Sequence, residues 1–130
     1  WTAGENAGFT TGKPWLKINP NYVEINAEAA LADPNSTFYY YQKLIELRKT
    51  IPEFRFGRFH LLKDTDPRVF AYTRDTRDGH MLVVCNFSAD EVPFEVPDSY
   101  FGSEYLIGNY GCDDYQNLRP YEALILYYKS

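Results

Sequence analysis

The spacing of apolar residues changes twice along this chain, and each change predicts a different kind of structure. Residues 1–35 show no sustained period. Gly4, Gly8, Gly12, Pro14, Pro20 and Pro34 punctuate a run rich in Asn and Thr, which predicts irregular chain. One short helix is predicted within it at Ala27–Ala32, capped by Asn26. The period then turns helical: Phe38, Tyr41, Leu44, Ile45 and Arg48 fall three and four apart, flanked by Tyr40, Leu44, Leu47 and Ile51. Asp33-Pro34 predicts the start of this helix, a capping carboxylate before a residue whose missing N–H costs nothing in a first turn. Pro52 predicts its end near Ile51. The apolar band is wide, so the helix requires neighbours on two sides.

From Glu53 the texture is that of strands. Arg58–Lys63, Val69–Arg74, Met81–Ser88, Pro93–Val96, Glu104–Ile107 and Ala123–Lys129 are short runs of Val, Phe, Tyr and Leu separated by turn signals. Asp78-Gly79 between two of them predicts a hairpin. The predicted fold is mainly β: an antiparallel Greek-key β-sandwich over residues 52–130, preceded over residues 1–51 by a loop-rich segment and one long helix. A sandwich this small is marginal alone and gains from packing on a larger body.

Composition narrows the picture. Twelve Tyr and nine Phe favour strands and broad contact surfaces over a helical bundle. The net charge of −5 is scattered, and without a Lys/Arg cluster a nucleic-acid partner is excluded. No apolar run approaches the roughly 20 residues of a membrane span. The chain opens on Trp1 without Met or a leader and reads as cut from a longer protein. Cys85, in an apolar run, reads as a core residue, and Cys112, in a polar loop, as a free thiol. Two cysteines make neither a disulfide framework nor a zinc site, and they suit a reducing, cytoplasmic setting. Nothing in the pattern requires a metal or another cofactor.

Candidate chemistry is sparse. The acidic pairs Asp64/Asp66, Asp75/Asp78 and Asp113/Asp114 all sit where turns or surface loops account for them, so no catalytic pair is assigned. His60 and His80 have no Cys or carboxylate at ligand spacing. The sequons at Asn35 and Asn86 read as capping or turn positions. Trp1, Phe9, Trp15 and Tyr22 lie in the first segment, where an aromatic ring can stack on a sugar or pack the loop onto a scaffold. Packing is preferred for Trp15 and Tyr22, and both readings stand for Trp1 and Phe9.

Two long strings go further. Trp1…Asn6-Ala7-Gly8-Phe9-Thr10-Thr11-Gly12-Lys13-Pro14-Trp15…Asn19-Pro20-Asn21-Tyr22 is similar to the segment after the last barrel strand in oligo-1,6-glucosidases of the α-amylase superfamily. Phe38-Tyr39-Tyr40-Tyr41-Gln42-Lys43-Leu44-Ile45-Glu46-Leu47-Arg48-Lys49 resembles their final barrel helix. Val69-Phe70-Ala71-Tyr72, Leu82–Ser88 and Leu118-Arg119-Pro120-Tyr121-Glu122-Ala123 resemble their C-terminal sheet. The resemblance implies that residues 1–51 are a remnant of a (β/α)8 barrel and residues 52–130 the following sandwich. It implies a retaining α-glucosidase acting on terminal linkages of short oligosaccharides, whose three catalytic acids and metal loop match nothing here. The chain's role would then be non-catalytic, with the parent's own barrel as intramolecular partner and an oligosaccharide as the parent's substrate. Trp1 and Phe9 would be substrate-binding residues of the pocket wall. The competing reading is a free-standing carbohydrate-binding module with Tyr100, Phe101, Tyr105, Tyr110 and Tyr115 as its platform. Isomaltose, dextran ends, sucrose and trehalose 6-phosphate all remain open as substrates.

Overall fold

Asparagine and proline set the helix limits. In the computed structural model, which describes residues 1–111 and 116–130, helix α1 spans Ala27–Ala32. Asn26 caps it as expected, its Oδ1 accepting from the Ala29 N–H at 2.8 Å while its Nδ2 donates to the Tyr22 carbonyl at 2.9 Å. Asp33 departs from expectation. It closes α1 instead of opening the next helix, and its Oδ1 accepts from the Asn35 N–H at 2.9 Å. A carboxylate that bonds two residues onward makes an Asx turn in competition with a helix start. Helix α2 therefore begins only at Thr37 and runs to Thr50, just before the Pro52 barrier.

The chain divides into two compact units, residues 1–46 and 47–130, with the division inside α2. The first unit holds single 3₁₀ turns at Glu5–Gly8 and Pro20–Val23, then α1 and most of α2. On α2, Phe38, Tyr41 and Ile45 are exposed, so the wide apolar band is covered on one side only.

The second unit opens with the end of α2 and a one-turn helix α3, Glu53–Phe56. Strands β1 (Arg58–Leu61), β2 (Val69–Asp75), β3 (Gly79–Asn86), β5 (Glu104–Gly108) and β7 (Ala123–Lys129) form an antiparallel sheet in the order β1-β2-β3-β7-β5. Strands β4 (Val92–Pro93) and β6 (Asn117–Leu118) pair antiparallel in a second, two-stranded sheet. Pairs this short carry no periodic signal. The residue pattern places β4 over Pro93–Val96 and gives no sign of β6 or α3. The Asp78-Gly79 hairpin forms as expected, closed by the Thr76 N–H on the Gly79 carbonyl at 2.9 Å.

The core lies where the two sheets meet. Val69 and Ala71 of β2, Leu82 and Val84 of β3, and Leu124 and Leu126 of β7 pack with Val92, Phe94, Val96, Tyr100 and Leu118. The alternate residues Met81, Val83, Ile125 and Tyr127 are also buried, on the opposite face of the large sheet. α3 packs on β2 and β3. β3 is thus apolar without alternation, as a strand covered on both sides must be. Cys85 lies on this second face and is half-buried rather than a core residue; burial pushes its thiol up.

Glu53, the first residue of α3, is only 3% exposed. Its carboxylate accepts from the Thr76 hydroxyl and from the Tyr127 phenol at 3.3 Å. Burial foremost, and then this neighbouring carboxylate, hold the Tyr127 phenol above its usual range. Gly79 is required beside them, because a Cβ there would come within 2.6 Å of Glu53 Oε1. Glu53→Ala strands both hydroxyls and is expected to cost about 1–3 kcal/mol in urea unfolding.

Candidate functional site

The feature that positions aromatic side chains in the first unit is a run of left-handed backbone. Asn6, Ala7 and Gly8 have φ of 53°, 55° and 75°. Only glycine adopts this region without penalty, so local bonds must hold the other two. Asn6 Nδ2 donates to the Thr10 and Gly12 carbonyls at 3.0 and 3.1 Å. The Thr2 N–H reaches the carbonyl of buried Ala7 at 3.0 Å.

This turn brings Trp1 and Phe9 together. Their rings meet edge to face with centroids 5.7 Å apart and planes at 69°. Trp1 is anchored by its Nε1–H, which donates to the Ile25 carbonyl at 3.3 Å. Both rings are exposed and form part of the wall of a largely apolar cavity of about 590 Å³, with Leu16, Ile18 and Tyr22. Trp15 borders it but is 92% exposed, and Tyr22 is half-buried in the wall. A surface of this kind receives flat apolar faces such as the C–H side of a pyranose.

The remaining candidates are dispersed. Asp66 Oδ1 accepts from the Arg68 backbone N–H at 2.9 Å, the expected Asx turn, and its carboxylate also pairs with the Arg68 guanidinium at 2.8 Å. That guanidinium, and then the backbone bond, hold Asp66 down at about 2. Asn86 is buried in a turn role: its Nδ2 donates to the Asp90 and Arg119 carbonyls, and its Oδ1 accepts from Ser88. His60 is exposed on β1. His80 corrects the reading from spacing, because the hairpin register sets it opposite Asp75. Its Nδ1 lies 2.9 Å from Asp75 Oδ1 and its Nε2 lies 2.8 Å from Ser130 Oγ. Asp113, Asp114, Cys112 and Tyr115 lie outside the described residues. Among the described residues no group of three or more His, Cys, Asp or Glu could hold a metal ion.

The proposed sandwich platform does not assemble either. Tyr100 is buried, Tyr105 donates its hydroxyl to the Tyr110 carbonyl at 2.8 Å, and Tyr110 lies under the Arg119 guanidinium at 4.4 Å. Phe101 and Tyr110 are the exposed members among those described, and the Tyr110 hydroxyl is committed to the Pro120 carbonyl at 3.0 Å. The turn before β7 also holds a buried carboxylate missed from sequence. Glu122, 1% exposed, accepts from the Arg119 backbone N–H at 2.7 Å and from its guanidinium at 2.8 Å.

Comparison with known proteins gives this geometry its context. Residues 1–57 match the model of the α-amylase catalytic domain, and residues 59–109 match the C-terminal domain of maltogenic amylase. The chain belongs to the α-amylase superfamily. It is 45% identical to an oligo-1,6-glucosidase of Parageobacillus thermoglucosidasius, over 96% of this chain and 24% of that one. It is 44% identical to a trehalose-6-phosphate hydrolase of Bacillus subtilis over the same shares. Among solved structures, isomaltulose synthase from Klebsiella sp. LX3 superposes with a TM-score of 0.89 at 37% identity, covering 98% of this chain and 24% of that one. The chain thus spans about a quarter of the length of the superfamily members it matches, and its likeness is to their oligo-1,6-glucosidase-like group.

Within this superfamily segment the Asp66–Arg68 pair offers a direct check. A depressed carboxyl stabilises the fold above its unfolded value of 3.8 and loses that contribution as pH falls towards about 2. Carboxyl NMR is expected to show an Asp66 midpoint near 2. In Arg68→Ala the midpoint should return towards 3.8.

Proposed function

We propose that this chain is the non-catalytic C-terminal region of a retaining α-glucosidase that cleaves terminal α-glucosidic linkages of short oligosaccharides. The observation that carries the reading is the identity of about 45% along almost the whole chain to oligo-1,6-glucosidases. Residues 1–51 are then the end of the catalytic barrel, and residues 52–130 a Greek-key sandwich that stabilises it. The exposed apolar rings of the first unit's long helix support this division, since Phe38 and Tyr41 have solvent where a parent's body would cover them. The parent works in the cytoplasm, and its barrel is the intramolecular partner.

Two experiments test the reading. The purified chain alone is expected not to hydrolyse p-nitrophenyl α-glucoside, and turnover by the chain would overturn a non-catalytic role. Grafted in place of the matching quarter of the P. thermoglucosidasius enzyme, it is expected to leave hydrolysis intact, whereas deleting residues 52–130 from that graft lowers its melting temperature.

In this reading Trp1 and Phe9 form part of the wall of the sugar pocket. Stacking contacts of this kind are worth about 0.5–1.5 kcal/mol. Trp1→Ala or Phe9→Ala in the graft is therefore expected to lower kcat/KM for an oligosaccharide roughly two- to tenfold. Unchanged kinetics in both variants would remove these residues from the pocket.

A further inference from the structure

The outer face of the large sheet, the one turned away from the inter-sheet core, is covered over only part of its area. Met81, Val83, Ile125 and Tyr127 are buried there, with α3 packed on β2 and β3 and Glu53 bonded to Tyr127. Towards the β1 edge the same face is bare. Phe59 is 50% exposed, Leu61 45%, Phe70 43% and Phe87 71%. Register makes this one strip: Leu61 stands opposite Tyr72, and Phe70 opposite Cys85. Phe87 follows Cys85 by two, hence on the same side. The rings touch, with Phe59–Tyr72 centroids at 5.1 Å and Phe70–Tyr72 at 5.4 Å.

None of these six side chains is charged. Arg74, opposite Phe59 on the same face and partly buried, borders the strip. A contiguous aromatic strip with an arginine at its border, beside an already covered area, has the character of an interface centre, where aromatic residues and arginine are enriched. Its rings are tilted by 36° and 50° to one another, which does not make the flat platform a sugar requires. The covered part identifies the occupant. Residues 47–56 belong to the same compact unit as the sheet, yet they fall within the stretch that matches the α-amylase catalytic domain. Catalytic-domain sequence therefore already lies against this unit, through α3 on β2 and β3. The relatives carry about three quarters of their length beyond what this chain matches.

We propose that Phe59, Leu61, Phe70, Tyr72, Cys85 and Phe87 form the docking strip for a further apolar surface of the parent's catalytic domain, continuous with the area covered by α3. This rests on reading the chain as the C-terminal region of such a parent, and it names the surface through which the sandwich acts.

Thermal melting of two proteins, the isolated chain and the graft, tests the assignment. Phe87→Asp changes a position 71% exposed and is expected to leave the isolated chain's melting temperature within about 1 °C of wild type, while Phe70→Asp, which loses its Tyr72 contact, lowers it by a few degrees. In the graft each is expected to lower it by about 3 °C or more beyond its effect on the isolated chain. Phe101→Asp, 65% exposed and outside the strip, leaves both unchanged. An equal loss in chain and graft reduces the strip to ordinary sheet packing and overturns the proposal, as does no loss in either. Sedimentation of the isolated chain supplies the other arm: a dimer dissociated by Phe87→Asp makes a second copy the occupant and also overturns it. A wild-type graft that neither folds nor hydrolyses removes the functional reading itself, and the docking assignment with it. An active graft insensitive to both variants removes the docking assignment alone.

Discussion

The double burial of β3 is the constraint on which the second unit depends. Its even-numbered residues Leu82 and Val84 face the inter-sheet core, while Met81 and Val83 are buried on the other side. A strand in the middle of such a sheet has no solvent face, so both neighbouring layers must be present for it to be stable. β4, β6 and the segment around Tyr100 provide one layer. α3 contributes to the other, and residues before β1 are therefore part of this unit although no strand begins there.

Two buried carboxylates fix connections in this unit. Glu53 joins α3 to the β2–β3 hairpin through Thr76 and to β7 through Tyr127. Glu122 holds the turn before β7 through Arg119, whose guanidinium also covers Tyr110 and reaches the Gly111 carbonyl at 2.6 Å. A buried ion is costly unless its lone pairs are met, and the geometry meets them by charge-assisted bonds at Glu122 and by hydroxyl donors at Glu53. Both restrict how the loops can be arranged.

Legibility in the sequence tracks the length of each pattern. Strands of four to eight residues and the fourteen-residue helix announce themselves by period, and Asn26 announces α1 by its side chain. The two-residue strands β4 and β6 have too few positions to form a pattern, and one-turn α3 has none. Asp33 misleads because a carboxylate before proline serves a helix start and an Asx turn equally well. Ser36 favours the turn, its hydroxyl donating back to the Ala30 carbonyl at 2.6 Å and tying the linker to α1.

The sequence alone determined the class of fold, the placement of its long elements and the family, because periodicity and string identity are properties of the chain itself. It also marked Trp1 and Phe9 as the aromatics to watch. Tertiary structure decided which side chains meet. The left-handed run at Asn6–Gly8 brings Trp1 against Phe9, the hairpin register gives His80 its Asp75, and the folding of Glu53 onto Tyr127 joins residues 74 apart. Distances of that kind depend on backbone angles and strand register, which no local pattern of residues encodes.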